Sequence, residues 1–71
     1  MEITRRRVIC VERGVVTYER VDEPWLIINR AVSDHTEAVG KPPVCGDIVE
    51  FETWSDYDGA ISRYRKNALL A

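Results

Sequence analysis

Four side chains of the kinds that bind zinc are spread over the sequence, namely Cys10, His35, Cys45 and Asp47. Structural zinc sites usually bring paired ligands at short spacing, such as two cysteines separated by two residues. The two cysteines of this chain lie 35 positions apart, and no such pair occurs. We therefore expect no metal site, no other cofactor, and two free thiols that are buried or half-buried.

Nucleophilic or acid–base catalysis would need activated side chains. No feature of the sequence marks either cysteine for activation, and no acidic residue is tied to His35 as an orienting partner. Two pairs of carboxylates could be considered. Asp56 and Asp58 lie in a predicted turn, which favours Asp, whereas Glu50 and Glu52 face solvent on a predicted strand. The sequence therefore predicts a protein that is not an enzyme.

Arginines and aromatic residues in the first 30 positions suggest RNA binding. Bases stack on exposed aromatic side chains while neighbouring arginines follow the phosphate backbone. The densest basic run, at residues 5–7, could equally be charge that blocks pairing at a strand edge. Tyr18 and Trp25 could likewise pack in or over a small core. The candidate RNA-binding residues are Arg5, Arg6, Arg7, Arg13, Tyr18, Arg20 and Arg30.

A second candidate surface surrounds Tyr57, which lies between two aspartates that would repel phosphate. Aromatic side chains anchor protein interfaces, and charge steers the encounter between partners. We expect Tyr57 to project outward and Gly59 to take a positive φ that closes the turn. The residues of this alternative protein-binding site are Trp54, Asp56, Tyr57 and Asp58.

Charge is segregated along the 71 residues, whose net charge is −2. Residues 1–21 carry +2, residues 22–62 carry −7, and residues 63–71 carry +3. A strong nonspecific nucleic-acid binder usually has a basic balance, so the composition favours the protein partner. No apolar run approaches the roughly 20 residues that cross a bilayer. We expect a cytoplasmic, monomeric globular domain that does not contact membranes.

The secondary-structure signal is almost entirely β. Strands are predicted at residues 7–11, 15–21, 25–28, 48–54 and 60–64, the third being a continuous apolar run that is predicted to be buried. Between the third and fourth strands, Asp34 is predicted to cap a single helical turn that Gly40 closes. The predicted core consists of Val8, Cys10, Val16, Ile27, Val49, Phe51 and Ile61.

The order of these elements predicts the fold class. Three strands, a longer connection and a final hairpin are the order found in an OB-fold, whereas an SH3-like barrel is the nearest alternative. The longest gap falls between the third and fourth strands, where an OB-fold has its helix. We therefore predict one all-β domain over residues 1–71, a five-stranded Greek-key barrel of the OB type.

Three segments resemble the N-terminal OB domain of the circularly permuted GTPases that depend on the small ribosomal subunit. They are RVICVERGVV at residues 7–16, PVCGDIVEF at residues 43–51 and YRKNALL at residues 64–70. The Gly-Asp-x-Val part of the second segment is also similar to bacterial translation initiation factor 1. The resemblance implies an OB module whose partner is ribosomal RNA or the small ribosomal subunit.

The sequence also departs from that family. It contains no G-x-x-x-x-G-K-[ST] phosphate loop, and the Cys/His zinc segment of the family is missing. GTP hydrolysis is therefore not implied. Two hypotheses stay open at this point: an RNA-binding OB module, and a protein-interaction module that uses the acidic hairpin around Tyr57.

Overall fold

The computed structural model describes residues 1–70, except for the side chains of residues 66, 67, 69 and 70. Five strands and one short helix make up this part of the chain. Their bounds are β1 Glu2–Glu12, β2 Val15–Arg20, β3 Ile27–Ala31, α1 Val32–Val39, β4 Ile48–Asp56 and β5 Gly59–Leu70. No helix within residues 1–70 has the length and apolar character needed to cross a membrane.

The five strands form one antiparallel sheet in the order β3-β2-β1-β4-β5, curled into a half-barrel. Strand β1 is shared by both halves, because residues 2–7 pair with β4 and residues 6–12 pair with β2. The helix lies between β3 and β4 in sequence. The predicted fold class is therefore confirmed as an OB-like fold. Within the described residues, backbone pairing does not join the edge strands β3 and β5.

Two tight turns close the hairpins of the sheet. Arg13 and Gly14 both have positive φ, 51° and 78°, as the two-residue turn between right-twisted strands requires. In the second hairpin Tyr57 and Asp58 form the turn, and the carboxylate of Asp56 accepts a hydrogen bond from the Asp58 amide at 3.3 Å. Gly59 has a φ of 121°, so the positive φ predicted there is confirmed.

The helix begins directly where β3 ends, so Ala31 occupies the N-cap position without a side-chain hydrogen bond. The prediction that Asp34 caps the helix is wrong, because the helix starts two residues earlier and Asp34 lies in its first turn. The amide of Val32 instead donates to the carbonyl of Gly14, which fixes the helix start to the first hairpin. Gly40 ends the helix at a φ of 89°, as predicted.

Four of the predicted core residues, Val8, Val16, Val49 and Phe51, are buried, and Tyr18 and Ala68 complete the apolar core. The other three predictions are wrong. A bulge between Val8 and Cys10 shifts the alternation of β1, which leaves Cys10 only half-buried. Ile27 and Ile61 are exposed, because they pair with Glu19 and Trp54, which lie on the outer face.

The predicted buried strand at residues 25–28 is also wrong. Pro24 and Trp25 form a turn, β3 begins at Ile27, and the Trp25 side chain is 73% exposed. The backbone of Leu26 bonds to Glu23 and Arg20 and so continues the turn. On β3 the inward positions are Ile28 and Arg30, both half-buried, so most of the apolar run faces solvent.

Candidate functional site

The basic run near the N-terminus is divided between the two faces of β1. Arg6 points inward and is buried, whereas Arg5 and Arg7 point outward. The outward guanidinium groups face carboxylates, since Arg5 lies 3.8 Å from Glu50 and Arg7 lies 3.0 Å from Glu19. The three arginines therefore do not form one positive patch, because neighbouring residues of a strand point to opposite faces.

The remaining arginines proposed for RNA binding also have ion-pair or hydrogen-bond partners. Arg13 is exposed at the first turn, 4.0 Å from Glu12. Arg30 donates to two backbone carbonyl groups, those of Asn29 and Ser62. Arg20 contacts three acids, with nitrogen–oxygen distances of 2.7 Å to Glu2, 2.7 Å to Asp22 and 3.6 Å to Glu23. Its hydrogen bond to Asp22, above all, raises the pKa of Arg20.

Tyr18 is fully buried, so its ring has no face on which a base could stack. Its hydroxyl lies 2.5 Å from Nδ1 of His35 and 2.7 Å from the hydroxyl of Tyr64. Burial raises the pKa of Tyr18 and lowers that of His35. The use of Tyr18 as a stacking platform is contradicted by this burial. The strand alternation that groups it with Val16 was the sequence signal for its place in the core.

The register of the sheet brings several acidic residues to one end of the half-barrel, away from α1. Strands β1 and β5 begin at this end, and β2 and β4 end there, so that Glu2 lies opposite Thr53. Arg20 bonds to Glu2 across this end, and its other acidic partners lie in the loop that follows β2. We call this surface the acidic end; its carboxylates are Glu2, Asp22, Glu23, Asp56 and Asp58.

Exposed apolar side chains accompany these acids. Tyr57 is 101% exposed at the tip of the β4–β5 hairpin, Trp25 is 73% exposed, and Met1 is 79% exposed. A groove of about 510 Å³ is lined by Met1 and by Trp54 and Ala60 of the hairpin. Of the four residues predicted for the protein-binding site, three lie in the hairpin tip and Trp54 lines this groove.

Trp54 itself is half-buried, because the guanidinium of Arg63 lies over its ring with 5.0 Å between Cζ and the ring centroid. Arg63 also donates to Glu52 at 2.7 Å, so the cation that covers Trp54 is held in place. The sequence pointed to the hairpin but not to Met1, Trp25 or Glu23. These residues are distant in sequence, and only the strand register brings them to the same end.

The side chains considered for metal binding or catalysis do not come together in one site within the described part of the chain. Both cysteines are free thiols, and Cys10 is half-buried as predicted. The same prediction is wrong for Cys45, which is exposed in the loop before β4. Among residues 1–70 whose side chains are described, no three His, Cys, Asp or Glu residues are placed to hold a metal ion together. Glu50 and Glu52 point to the outer face and pair with Arg65 and Arg63.

The outer face of β1, β2 and β3 carries few free charges. Thr17 donates to Asn29 at 2.9 Å, and the ion pair between Arg7 and Glu19 lies farther along the same face. OB-folds commonly bind nucleic acids on strands two and three. In this chain, that face offers paired charges and neutral polar side chains. The acidic end is therefore the surface whose charge and exposed aromatic groups stand out.

The chain was also compared with known proteins. The resemblance to the OB domain of ribosome-dependent GTPases, and the ribosomal partner that it implies, stay predictions. No family model, no curated protein and no solved structure matches this chain.

Proposed function

We propose that this chain is a noncatalytic binding module that uses its acidic end to bind a protein with a basic and partly apolar surface. The observation that carries the proposal is the fully exposed Tyr57 at a hairpin tip that also presents Asp56 and Asp58. The hairpin projects from an end of the half-barrel that holds three further carboxylates. Aromatic anchors with a charged rim are the arrangement of a protein interface.

Electrostatics supports a basic partner. The acidic end has five carboxylates, and three of them, those of Glu2, Asp22 and Glu23, lie within 4.0 Å of Arg20. Glu2 is 61% exposed and Asp22 is 64% exposed, so both carboxylates reach solvent beside the arginine that they bind. Such a surface attracts a basic partner over roughly a Debye length and raises the association rate.

Apolar contacts supply the affinity in this proposal. Tyr57 and Trp25 offer rigid rings that lose little conformational entropy on binding. The groove between Met1 and Trp54 has room for an apolar side chain of the partner. The hydrogen bond between Asp56 and Asp58 holds the turn that presents Tyr57, which reduces the ordering required when the partner binds.

RNA binding receives less support from the same geometry. Of the seven residues proposed for it, Tyr18 and Arg6 are buried, and Arg5, Arg7 and Arg20 face carboxylates. The positive charge is thus locally compensated, whereas RNA affinity depends on releasing counterions from many phosphates. RNA remains the alternative outcome of the experiment.

The experiment places a photo-crosslinking amino acid at Tyr57 and, as a control, at Thr17 on the outer face. Crosslinked species are collected from cells, treated with RNase, and identified. Binding of the purified partner is then measured for Y57A and for D56K/D58K, with E12K as the matched charge reversal at the opposite end. We expect a crosslink at position 57 only, and at least a tenfold loss of affinity for both hairpin variants. E12K should bind like the wild type.

Two results would overturn the proposal. One is a crosslinked species at position 57 that RNase removes, together with retention of the chain on purified small ribosomal subunits. The other is a protein partner whose affinity does not change in D56K/D58K. Because Tyr57 and both aspartates are exposed, these substitutions should not unfold the domain.

A further inference from the structure

Two arginines differ from the rest in having no carboxylate partner. Six of the eight arginines lie within 4.0 Å of a carboxylate oxygen, whereas Arg6 and Arg30 do not within the described part of the chain. Both exceptions pack against the same ring. The Cζ atom of Arg6 lies 5.6 Å from the centroid of Phe51, and that of Arg30 lies 5.9 Å from it.

The environment of Arg6 is unusual for a cation. The residue is only 4% exposed, and its Nε and Nη1 atoms are buried with no hydrogen-bond partner among the described residues. Burial lowers the pKa of Arg6, and the charges of Arg20 and Arg30 lower it further. A buried charge normally has a partner of opposite charge, because removing a charge from water is energetically unfavourable. The contact with Phe51 offsets only part of that cost.

The Phe51 ring that both arginines contact packs against Tyr64 of β5, which lies beside the open seam of the half-barrel. Strands β3 and β5 are not joined by backbone pairing, and Arg30 bridges them by donating to the carbonyl of Ser62 at 3.1 Å. A groove of about 460 Å³ runs along this seam and is lined by Arg30, Ser62 and Tyr64. The seam therefore gives a small molecule a route from solvent to Arg30 and the aromatic cluster behind it.

Charges along the groove limit what it can hold. Asp34 and Glu37 of α1 line the groove, as does Arg63 of β5. A large anion would extend to the carboxylates of Asp34 and Glu37 and be repelled by them. Only a small anion can therefore bind near Arg30. Guanidinium groups bind carboxylate and phosphate oxygens through paired hydrogen bonds, which is the chemistry that Nε and Nη1 of Arg6 leave unused.

We propose that Arg6 and Arg30 form a binding site for a small oxyanion, a carboxylate or phosphate group, beside Phe51 at the β3–β5 seam. The anion supplies the negative charge that these two arginines lack. The site is separate from the hairpin around Tyr57, and the proposal does not depend on the protein-binding function.

The experiment measures the melting temperature in sodium chloride, inorganic phosphate and acetate at equal ionic strength. Phosphate or acetate at millimolar concentration should raise Tm in a saturable way, by roughly 5 °C near saturation. The test variants are R30Q, which removes the half of the site that lines the groove, and R6M, which removes the buried charge and keeps a flexible apolar chain. R63Q is the control, because Arg63 lines the same groove but has a carboxylate partner.

We expect R30Q and R6M to lose the anion-dependent rise in Tm, and R63Q to keep it. A response to phosphate alone, to acetate alone or to both supports the proposal and identifies the oxyanion. In chloride, R6M should melt at or above the wild-type temperature, since an uncompensated buried charge is gone. The proposal is overturned if neither anion raises Tm saturably, or if the rise persists in R30Q. If R6M does not fold, R30Q and R63Q decide the outcome.

Discussion

The hydroxyl of Tyr18 lies 2.5 Å from Nδ1 of His35, and the two rings stack at an interplanar angle of 19°. Tyr18 belongs to β2 and His35 to α1, so this contact fastens the helix to the inner face of the half-barrel. The same hydroxyl lies 2.7 Å from that of Tyr64 on β5. The Tyr18 hydroxyl thus connects β2, α1 and β5 through the barrel interior. No two of these elements share a backbone hydrogen-bond ladder within the described residues.

Removal of the Tyr18 hydroxyl should destabilise the fold. Y18F leaves Nδ1 of His35 and the Tyr64 hydroxyl without their partner, so we expect the free energy of unfolding to fall by about 1–3 kcal/mol. Y64F should cost less, because Tyr18 keeps its bond to His35. Urea denaturation measures both, and Y57F, at an exposed position, is the control that should unfold like the wild type. Equal losses in Y18F and Y57F would contradict the role of this hydroxyl.

Stability should fall when the pH drops below about 6.5, the ordinary pKa of histidine. Burial lowers the pKa of His35 in the folded state, and its Nε2 atom is buried without a partner among the described residues. Below pH 6.5 the unfolded chain takes up a proton that the folded chain resists. The stability that depends on neutral His35 is therefore fully present above this pH. As the pH falls towards the folded pKa of His35, the free energy of unfolding decreases by at most about 1.4 kcal/mol per pH unit.

Urea midpoints at pH 7.5, 6.5 and 5.5 measure this dependence. His35 is the single histidine of the sequence, so it is the side chain whose ordinary pKa lies in this interval. The H35Q variant is expected to be less stable throughout but to lose the slope. A slope that survives in H35Q would assign the pH dependence to other groups.

Substitution of Gly40 should destabilise the fold because of its backbone conformation and not because of a steric clash. Its φ is 89°, and a Cβ atom built there meets no other atom within 4 Å. We expect G40A to lose about 1–2 kcal/mol of stability, since an L-residue is strained in this conformation, and G40N to lose less. D34A tests the opposite end of the helix. It should change stability by less than about 0.5 kcal/mol, because Asp34 makes no capping hydrogen bond.

Trp25 and Phe51 should respond very differently to truncation. Trp25 is largely exposed, so W25S should stay within about 0.5 kcal/mol of the wild type. Phe51 is fully buried against Tyr18 and Tyr64, and F51A should cost about 3–5 kcal/mol. Chemical denaturation of both variants tests the structure of the segment before β3. If W25S lowered the free energy of unfolding by more than about 2 kcal/mol, the result would support the buried strand predicted at residues 25–28.

Local features were predictable wherever short-range sterics decide the conformation. Gly40 ends a helix and Gly59 follows a tight turn, and both take the positive φ that glycine tolerates best. Strict alternation in β2 and β4 placed Val16 with Tyr18 and Val49 with Phe51, and all four are buried. The order of strands and the length of the third connection were enough to predict the OB-like fold.

The sequence by itself therefore determined the order of the strands, the end of the helix at Gly40, the turn before Gly59 and the two candidate surfaces. The tertiary structure decided which residues face inward, because a bulge moved Cys10 and the phase of β3 turned Ile27 outward. It also decided the charge pattern. Arg20 meets Glu2 only through strand register, and Arg6 meets Phe51 because it pairs with Val49, two residues from Phe51 on the same face of the sheet. Contacts between residues far apart in sequence depend on register and curvature, which no local pattern encodes.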